Sequence, residues 1–340
     1  MPNRDIIVIG ASAGGVEALT QFIKHLPADF PAAIFIVLHF PASGVSALPQ
    51  ILNRVGKLPA SHPTDRTVIT PGQIYIAPPN YHLLLQPGYI QLSQSPREHG
   101  LRPAIDITFR SAAWAYGQRV IGIILSGTLD DGTAGLMTIK AHGGLAIVQD
   151  PEEALFSGMP RSALKYVAVD HIVKLADLAF CLNQFIYQPI KENSSVSKQL
   201  DREEMIVADD KAARERGEYP GDPSPLTCPE CGGVLWELQE GHLVRFRCHV
   251  GHAYSIESMA AEQEDDVEKA LWSAYRALEE KATLARRMAM QARQHNRTRS
   301  EAQFLARAQE SEQHAALLRQ IILQQEQPQS SPHSEAVNET

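Results

Sequence analysis

Cysteine is scarce in this sequence. The 340-residue chain has four, and three of them fall in the 21-residue window 228–248. Thiols so few and so clustered argue against a secreted disulfide scaffold and for a metal site in a reducing compartment. Long apolar runs are missing too. IIVIG near the start is flanked by charge and glycine, and no stretch approaches the ~20 residues that a membrane span needs. There is no basic opening segment followed by an apolar core and a cleavage site. Basic residues are not in excess: 31 Lys and Arg stand against 39 Asp and Glu, a net charge of -8, so nothing suggests nucleic acid as a partner. The expectation is a cytoplasmic protein without membrane insertion. Proline and glycine are absent from 256 to 325, where Val267, Leu271, Ala274 and Leu278 recur at helical spacing. Acids at 262–268 and bases at 286–299 suit one helix's macrodipole. QHNRTRS interrupts the pattern, and Ser300 is a plausible N-cap for a second, antiparallel helix.

What is present begins with an α/β pattern over residues 1–188. DIIVIG, AAIFIVLHF, VIGIILSG and GLAIVQD are continuous Val- and Ile-rich runs, the signature of parallel strands covered on both faces. VEALTQFIKHLP lies between the first two, with Val16, Leu19, Phe22, Ile23 and Leu26 on one helical face. Residues 67–95 read as short strands between Pro-Gly turns, an antiparallel hairpin at one sheet edge. The predicted fold is α/β, a doubly wound, mostly parallel, three-layer sheet. A polar, charged linker (189–226), with a transient helix around 200–216, precedes a small Cys/His ribbon-like module (227–254). A helical hairpin (255–326) and a disordered tail (327–340) complete the chain.

The turn after the first strand, Gly10-Ala11-Ser12-Ala13-Gly14-Gly15, fits the nucleophile pattern G-x-S-x-G better than the dinucleotide pattern G-x-G-x-x-G. Taken alone, Ser12 reads more readily as a helix N-cap than as a nucleophile. The second strand ends in His39, where a dinucleotide-binding fold would carry an acid for the ribose. SGTLDDGTAGL follows a further buried strand and brings Asp130 and Asp131 to the same sheet edge. Serine, histidine and aspartate there form the set for acyl transfer, as nucleophile, base and orienting acid. Their order differs from that of the α/β-hydrolases, so the motif does not imply that superfamily. His62, His82 and His99 sit in turn-rich segments and read as surface residues. Arg102 and Asp106 read either as cleft residues that orient substrate or as packing of a helix N-terminus. Cys181 reads as core.

GASAGG, the VLHF strand end, RPAIDITFRSAA, SGTLDDGTAGL and SGMPRSAL, in this order, resemble the catalytic domain of CheB-type chemotaxis protein-glutamate methylesterases. The resemblance covers about 5–188. It implies a nucleophile at Ser12, a base at His39 and an orienting acid at Asp131 rather than Asp130. It implies hydrolysis of γ-glutamyl methyl esters on the cytoplasmic helices of chemoreceptors, with receptor glutamine deamidation as a second activity, and no cofactor for catalysis. It also implies backbone oxyanion donors at Ala13 and Thr128. The family's usual Gly-Met-Gly is here Gly127-Thr128-Leu129, and its usual Thr or Ser after the nucleophile is Ala13. Ser12 follows the first strand of this sequence, so no receiver domain is expected before it, and activity is either constitutive or controlled by the C-terminal region. The alternative is a catalytically weak docking module that binds a receptor or a methyltransferase. The C-terminal region could itself bind a methyltransferase or another signalling protein.

Cys228-x-x-Cys231 and the later Cys248 and His252 have the spacing of one tetrahedral zinc site, with 16 residues between the pairs. His249 is a rival fourth ligand, but an adjacent pair chelates poorly. Four protein ligands would make the zinc structural rather than catalytic.

Overall fold

The computed structural model describes residues 3–39, 46–190 and 221–325. The expected helix near 200–216 and the tail at 327–340 lie outside them.

Apolar runs without alternation become strands buried on both faces. β1 (Ile6–Ala11) and β2 (Ala33–Leu38) are buried at every position, as are β7 (Val120–Ile124) and β8 (Leu145–Gln149). With β3 (Ala60–Ser61), β4 (Ile74–Ile76) and β9 (His171–Val173) they form a seven-stranded sheet in the order β3-β4-β2-β1-β7-β8-β9. Every pairing is parallel. Helices α1 (Gly15–Lys24), α2 (Leu48–Val55) and α6 (Leu175–Phe185) pack on one face through Leu19, Phe22, Leu52 and Leu182. Helices α3 (Ile105–Tyr116), α4 (Thr133–Ala141) and α5 (Gly158–Tyr166) pack on the other through Phe109, Leu136 and Met159. This is the expected three-layer, doubly wound α/β fold. From β1 the chain crosses to β2 on one side and returns to β7 on the other. The carboxyl end of β1 is therefore the topological switch point, where such sheets place their sites.

The segment 67–95 departs from expectation. Only Ile74–Ile76 enters the main sheet, as a parallel interior strand. β5 (His82–Gln86) and β6 (Tyr89–Ser93) pair as a separate antiparallel hairpin. Helix α3 claims it: Thr108 Oγ1 donates to Leu83 O at 2.7 Å, and Leu85 N–H donates to Ser111 Oγ at 3.0 Å. The hairpin's backbone groups are thus satisfied by helix hydroxyls instead of a sheet edge.

The Cys/His module is a four-stranded antiparallel ribbon in chain order, β10 (Asp222–Thr227), β11 (Val234–Glu240), β12 (Leu243–Cys248) and β13 (Ala253–Ser255). It begins inside the stretch expected to be linker, because Asp222 and Pro223 pair with Glu237 and Trp236. Two compact units result, Met1–Ala260 and Ala261–Thr340. Sheet and ribbon belong to the first. The second is a hairpin of α7 (Ile256–Gln294, its first turn in the first unit) and α8 (Thr298–Gln325). Buried alanines recur at 282, 285, 289 and 292, and Arg286 meets Glu312 across the pair at 2.8 Å. The connection turns on Asn296, left-handed at φ 57°, a conformation that asparagine tolerates. Helix α8 therefore begins at Thr298, two residues before the expected cap, Ser300. No described helix is long and apolar enough to cross a membrane.

Candidate active site

Ser12 follows β1 directly, in a loop held from three sides. Its N–H donates to Ser126 O at 2.9 Å, and its carbonyl accepts from Gly15 N–H at 2.8 Å. Ser126 Oγ donates to Ala13 O at 2.8 Å, and the Ser126 N–H donates to the buried Gln149 Oε1. The cap position of α1 is filled by Gly14, left-handed at φ 71°, without a side-chain cap. The N-cap reading of Ser12 is thereby excluded, and its hydroxyl faces His39 instead. Sequence reasoning missed the bracing pair Ser126 and Gln149, since nothing in LSG or IVQD marks them.

His39 follows β2, one strand over. Its Nδ1 lies 3.1 Å from Ser12 Oγ and its Nε2 lies 2.8 Å from Asp131 Oδ2. With Asp131 ionised, Nε2–H donates to the carboxylate and Nδ1 is left to accept from the serine hydroxyl. Asp131 is fixed by more than the imidazole. Its Oδ2 also accepts from Ile105 N–H at 2.8 Å, and its Oδ1 from Asp106 N–H at 3.0 Å. These are the first amides of α3, whose positive end suits a carboxylate. Burial would raise the Asp131 pKa, but hydrogen bonding to His39, the charge of His99 and the α3 amides hold it below the usual carboxylate value. Asp130 points away and accepts from Ser255 Oγ at 2.8 Å; burial pushes it up to about 6 against the pull of His99 and Ser255.

Gly127 and Thr128 pass close beside Ser12. A Cβ on Gly127 would stand 3.0 Å from Ser12 Cβ and would overlap Met159 Sδ outright. Among the described residues, the N–H groups of Ala13 and Thr128 donate to no protein acceptor. Leu129 is left-handed at φ 57° and exposed, and Leu155 and Phe156 are exposed beside it. Gly14 abuts Leu155, and Gly127 N–H donates to Phe156 O. Ser12 thus sits within an apolar rim.

Several expectations need correction. His82 and His99 are buried, not superficial. His82 accepts from Ala104 N–H and sits beside Pro96 O, and burial lowers its pKa to about 4. His62 is half-buried and bonds to Ile76 O. Arg102 donates to the carbonyls of Gln94 and Ser95 and to Asn80 Oδ1. Asp106 accepts from Gly135 N–H and from His99 Nε2, a packing role. Cys181 packs against the core as expected.

Behind Asp131 lies a buried ionic cluster that no local motif announces. Glu98 meets both Arg110 and Arg245, and His99 Nε2 lies 3.0 Å from Asp106 Oδ2 and 3.8 Å from Asp131 Oδ1. Three carboxylates (Glu98, Asp106, Asp131) thus face two guanidinium groups and one imidazole. Burial alone would depress the His99 pKa, but the bond to Asp106 and the charges of Asp131, Asp106 and Asp130 raise it to about 9. The same cluster offers Glu98, His99 and Asp106 as donor atoms for a cation, but the arginines already neutralise Glu98.

The family model for CheB methylesterase matches residues 7–182. The chain belongs to the CheB methylesterase family. A protein-glutamate methylesterase/protein-glutamine glutaminase of Syntrophus aciditrophicus is 39% identical over 181 residues, 52% of this chain and 52% of that protein. One of Trichodesmium erythraeum is 38% identical over 179 residues, 52% of this chain and 51% of that protein. A relative from Leptospira interrogans is 39% identical over 178 residues, 52% of this chain and 92% of its own length. The chain thus spans about half the length of most of these curated relatives. The crystal structure of the Thermotoga maritima CheB methylesterase catalytic domain superposes with a TM-score of 0.53 at 33% identity, covering 54% of this chain and 99% of that one. The family match ends before the ribbon, so the ribbon's own cluster stands outside it.

In the ribbon, the donor atoms of Cys228, Cys231, Cys248 and His252 lie within 4.8 Å of one another. His249, the rival ligand, lies outside this group; its ring is 6.3 Å from that of Trp236.

Proposed function

We propose that this chain is a serine esterase that hydrolyses γ-methyl esters of glutamate on the cytoplasmic helices of chemoreceptors, and that it deamidates receptor glutamine by the same route. The observation that carries this is the unbroken line Ser12 Oγ, His39 Nδ1, His39 Nε2, Asp131 Oδ2, with separations of 3.1 and 2.8 Å, at the switch point of the sheet. The names of the relatives supply the substrate class.

In the first step Ser12 Oγ attacks the ester carbon as His39 Nδ1 takes the hydroxyl proton. The carbonyl oxygen becomes an oxyanion and is met by the N–H groups of Ala13 and Thr128. One such donor contributes about 2.7–4 kcal/mol to the transition state. Asp131 keeps the imidazole in the tautomer that can accept, and steadies the imidazolium that forms. His39 returns the proton to the departing methoxide, methanol leaves, and the acyl-serine remains. Water then attacks the acyl carbon, His39 takes its proton, and glutamate is released as Ser12 regains its hydrogen. With glutamine as substrate, ammonia is the leaving group. The apolar rim of Leu129, Leu155 and Phe156 suits the face of a helix, and catalysis needs no cofactor. The enzyme works in the cytoplasm, and the α7–α8 hairpin offers a second surface for a methyltransferase or another signalling protein.

The test is methanol release from receptor membranes premethylated by the cognate methyltransferase, comparing the full chain with Ser12→Ala. Release by the wild type alone supports the reading. No release from either protein favours a docking module, with the Gly127-Thr128-Leu129 loop as the reason for silence.

A further inference from the structure

The four ribbon donors have the dimensions of an occupied metal site. Cys231 Sγ and Cys248 Sγ are 3.7 Å apart, and His252 Nδ1 is 3.6 Å from both Cys228 Sγ and Cys248 Sγ. A disulfide needs about 2.05 Å, so the sulfurs are not paired with one another. A tetrahedron with zinc–sulfur distances of about 2.3 Å and zinc–nitrogen distances of about 2.0–2.1 Å has edges of about 3.5–3.8 Å. The outer shell is also in place. The other nitrogen of the ligand ring, His252 Nε2, lies 3.1 Å from Glu230 Oε2, the carboxylate–histidine pairing that orients metal-binding imidazoles. Backbone N–H groups of Glu230 and Cys231 point at Cys228 Sγ, and that of Gly233 at Cys231 Sγ. With four protein donors there is no open position for chemistry.

The ribbon is joined to the sheet domain at the segment behind Asp131. Ala253, the residue after His252, accepts from His99 N–H at 2.7 Å and donates to Arg97 O at 3.3 Å. Three residues before Cys248, Arg245 forms a buried ion pair with Glu98. At the end of β13 Ser255 Oγ donates to Asp130, and just past the strand Ser258 Oγ lies 2.9 Å from His99 Nδ1. His99, beside Asp131, is thus held by Ala253, the residue directly after His252, and by Ser258 in the first turn of α7.

We infer that Cys228, Cys231, Cys248 and His252 bind one structural zinc ion, and that the zinc-closed ribbon is the back wall of the esterase site, fixing Arg97–His99 and through His99 the position of Asp131. Arg245, Ser255 and Ser258 are positioning residues. The link to activity rests on Ser12 being the nucleophile, so the experiment reads metal, nucleophile and backbone separately. The full chain is assayed for zinc by elemental analysis and, after exchange, for the visible bands of tetrahedral Co2+. Labelling of Ser12 by a fluorophosphonate is timed before zinc removal by a chelator, after it, and after zinc is restored. Hydrogen exchange is followed over residues 97–106.

The expected result is one zinc per chain and none in Cys248→Ser. Labelling slows roughly tenfold without metal, in the range seen when outer-shell support is lost, recovers when zinc returns, and exchange at 97–106 quickens in the stripped chain. Arg245→Met keeps its zinc but labels slowly, whereas Arg245→Lys, which retains the charge opposite Glu98, labels near the wild-type rate. A full chain that takes up neither zinc nor Co2+ overturns the metal site. A stripped chain with unchanged exchange at 97–106, or an Arg245→Met variant as reactive as wild type, overturns the coupling. Should Ser12 resist labelling even in the zinc-bound protein, the esterase reading fails, while metal content and exchange still decide this one.

Discussion

Asp131 serves two masters, the imidazole of His39 and the first amides of α3. The two roles separate by substitution. Asp131→Asn should lower kcat by on the order of 10³–10⁴, because an amide can hold the ring in the wrong tautomer. Ser12→Ala should abolish acylation and leave the fold untouched, since the hydroxyl bonds only to His39 among the described residues. Steady-state turnover beside thermal melting checks both. Gly127 gives the third prediction at this scale. A methyl there meets Met159 Sδ and Ser12 Cβ. Gly127→Ala should push the Thr128 amide off the oxyanion and cost on the order of 10²–10³ in kcat, with KM changed much less. A KM-dominated defect would mean that the loop binds substrate instead.

At the scale of elements, the sheet was legible in sequence and its accessories were not. Continuous Val and Ile runs announced β1, β2, β7 and β8, and the sequence also put Ser12, His39 and Asp131 after three of them, where the structure brings their side chains together. Periodicity marks which face of an element is buried, not which neighbour buries it. Hence 67–95 was expected at a sheet edge, whereas the Thr108 and Ser111 hydroxyls of α3 hold the hairpin apart. His99 was hidden for a similar reason. Its partners Asp106, Asp131 and Ser258 come from two helices and a loop far apart in the chain, and no local spacing joins them. That cluster has a pH signature. The folded-state pKa of His99, about 9, lies above its ordinary 6.5. Its contribution is therefore complete below pH 6.5 and is lost as pH rises through 9. Urea unfolding should show stability falling over this window by up to about 1.4 kcal/mol per pH unit. His99→Gln should flatten that limb, and an unchanged slope would assign it to another group.

At the scale of the whole molecule, the ribbon and the sheet domain share one buried ion cluster, so substitutions in one should be felt in the other. Glu98 faces two arginines, one from each part. Glu98→Ala removes the buried carboxylate that both guanidinium groups meet and should cost roughly 3–5 kcal/mol. Arg245→Ala leaves Glu98 still paired with Arg110 and should cost about 1–3 kcal/mol. Guanidinium unfolding of the full chain gives the order, and equal costs would mean that Arg110 does not hold Glu98 unaided. The double role of Asp131 has one more consequence, for anyone wishing to capture what this protein acts on. The usual way to make bait is to disable an enzyme and let it keep its grip. Removing the acid would here also loosen the mouth of α3, and prey could be lost because the jaws had warped. Taking only the hydroxyl of Ser12 leaves every amide, ring and rim residue where it was, and makes the quieter trap.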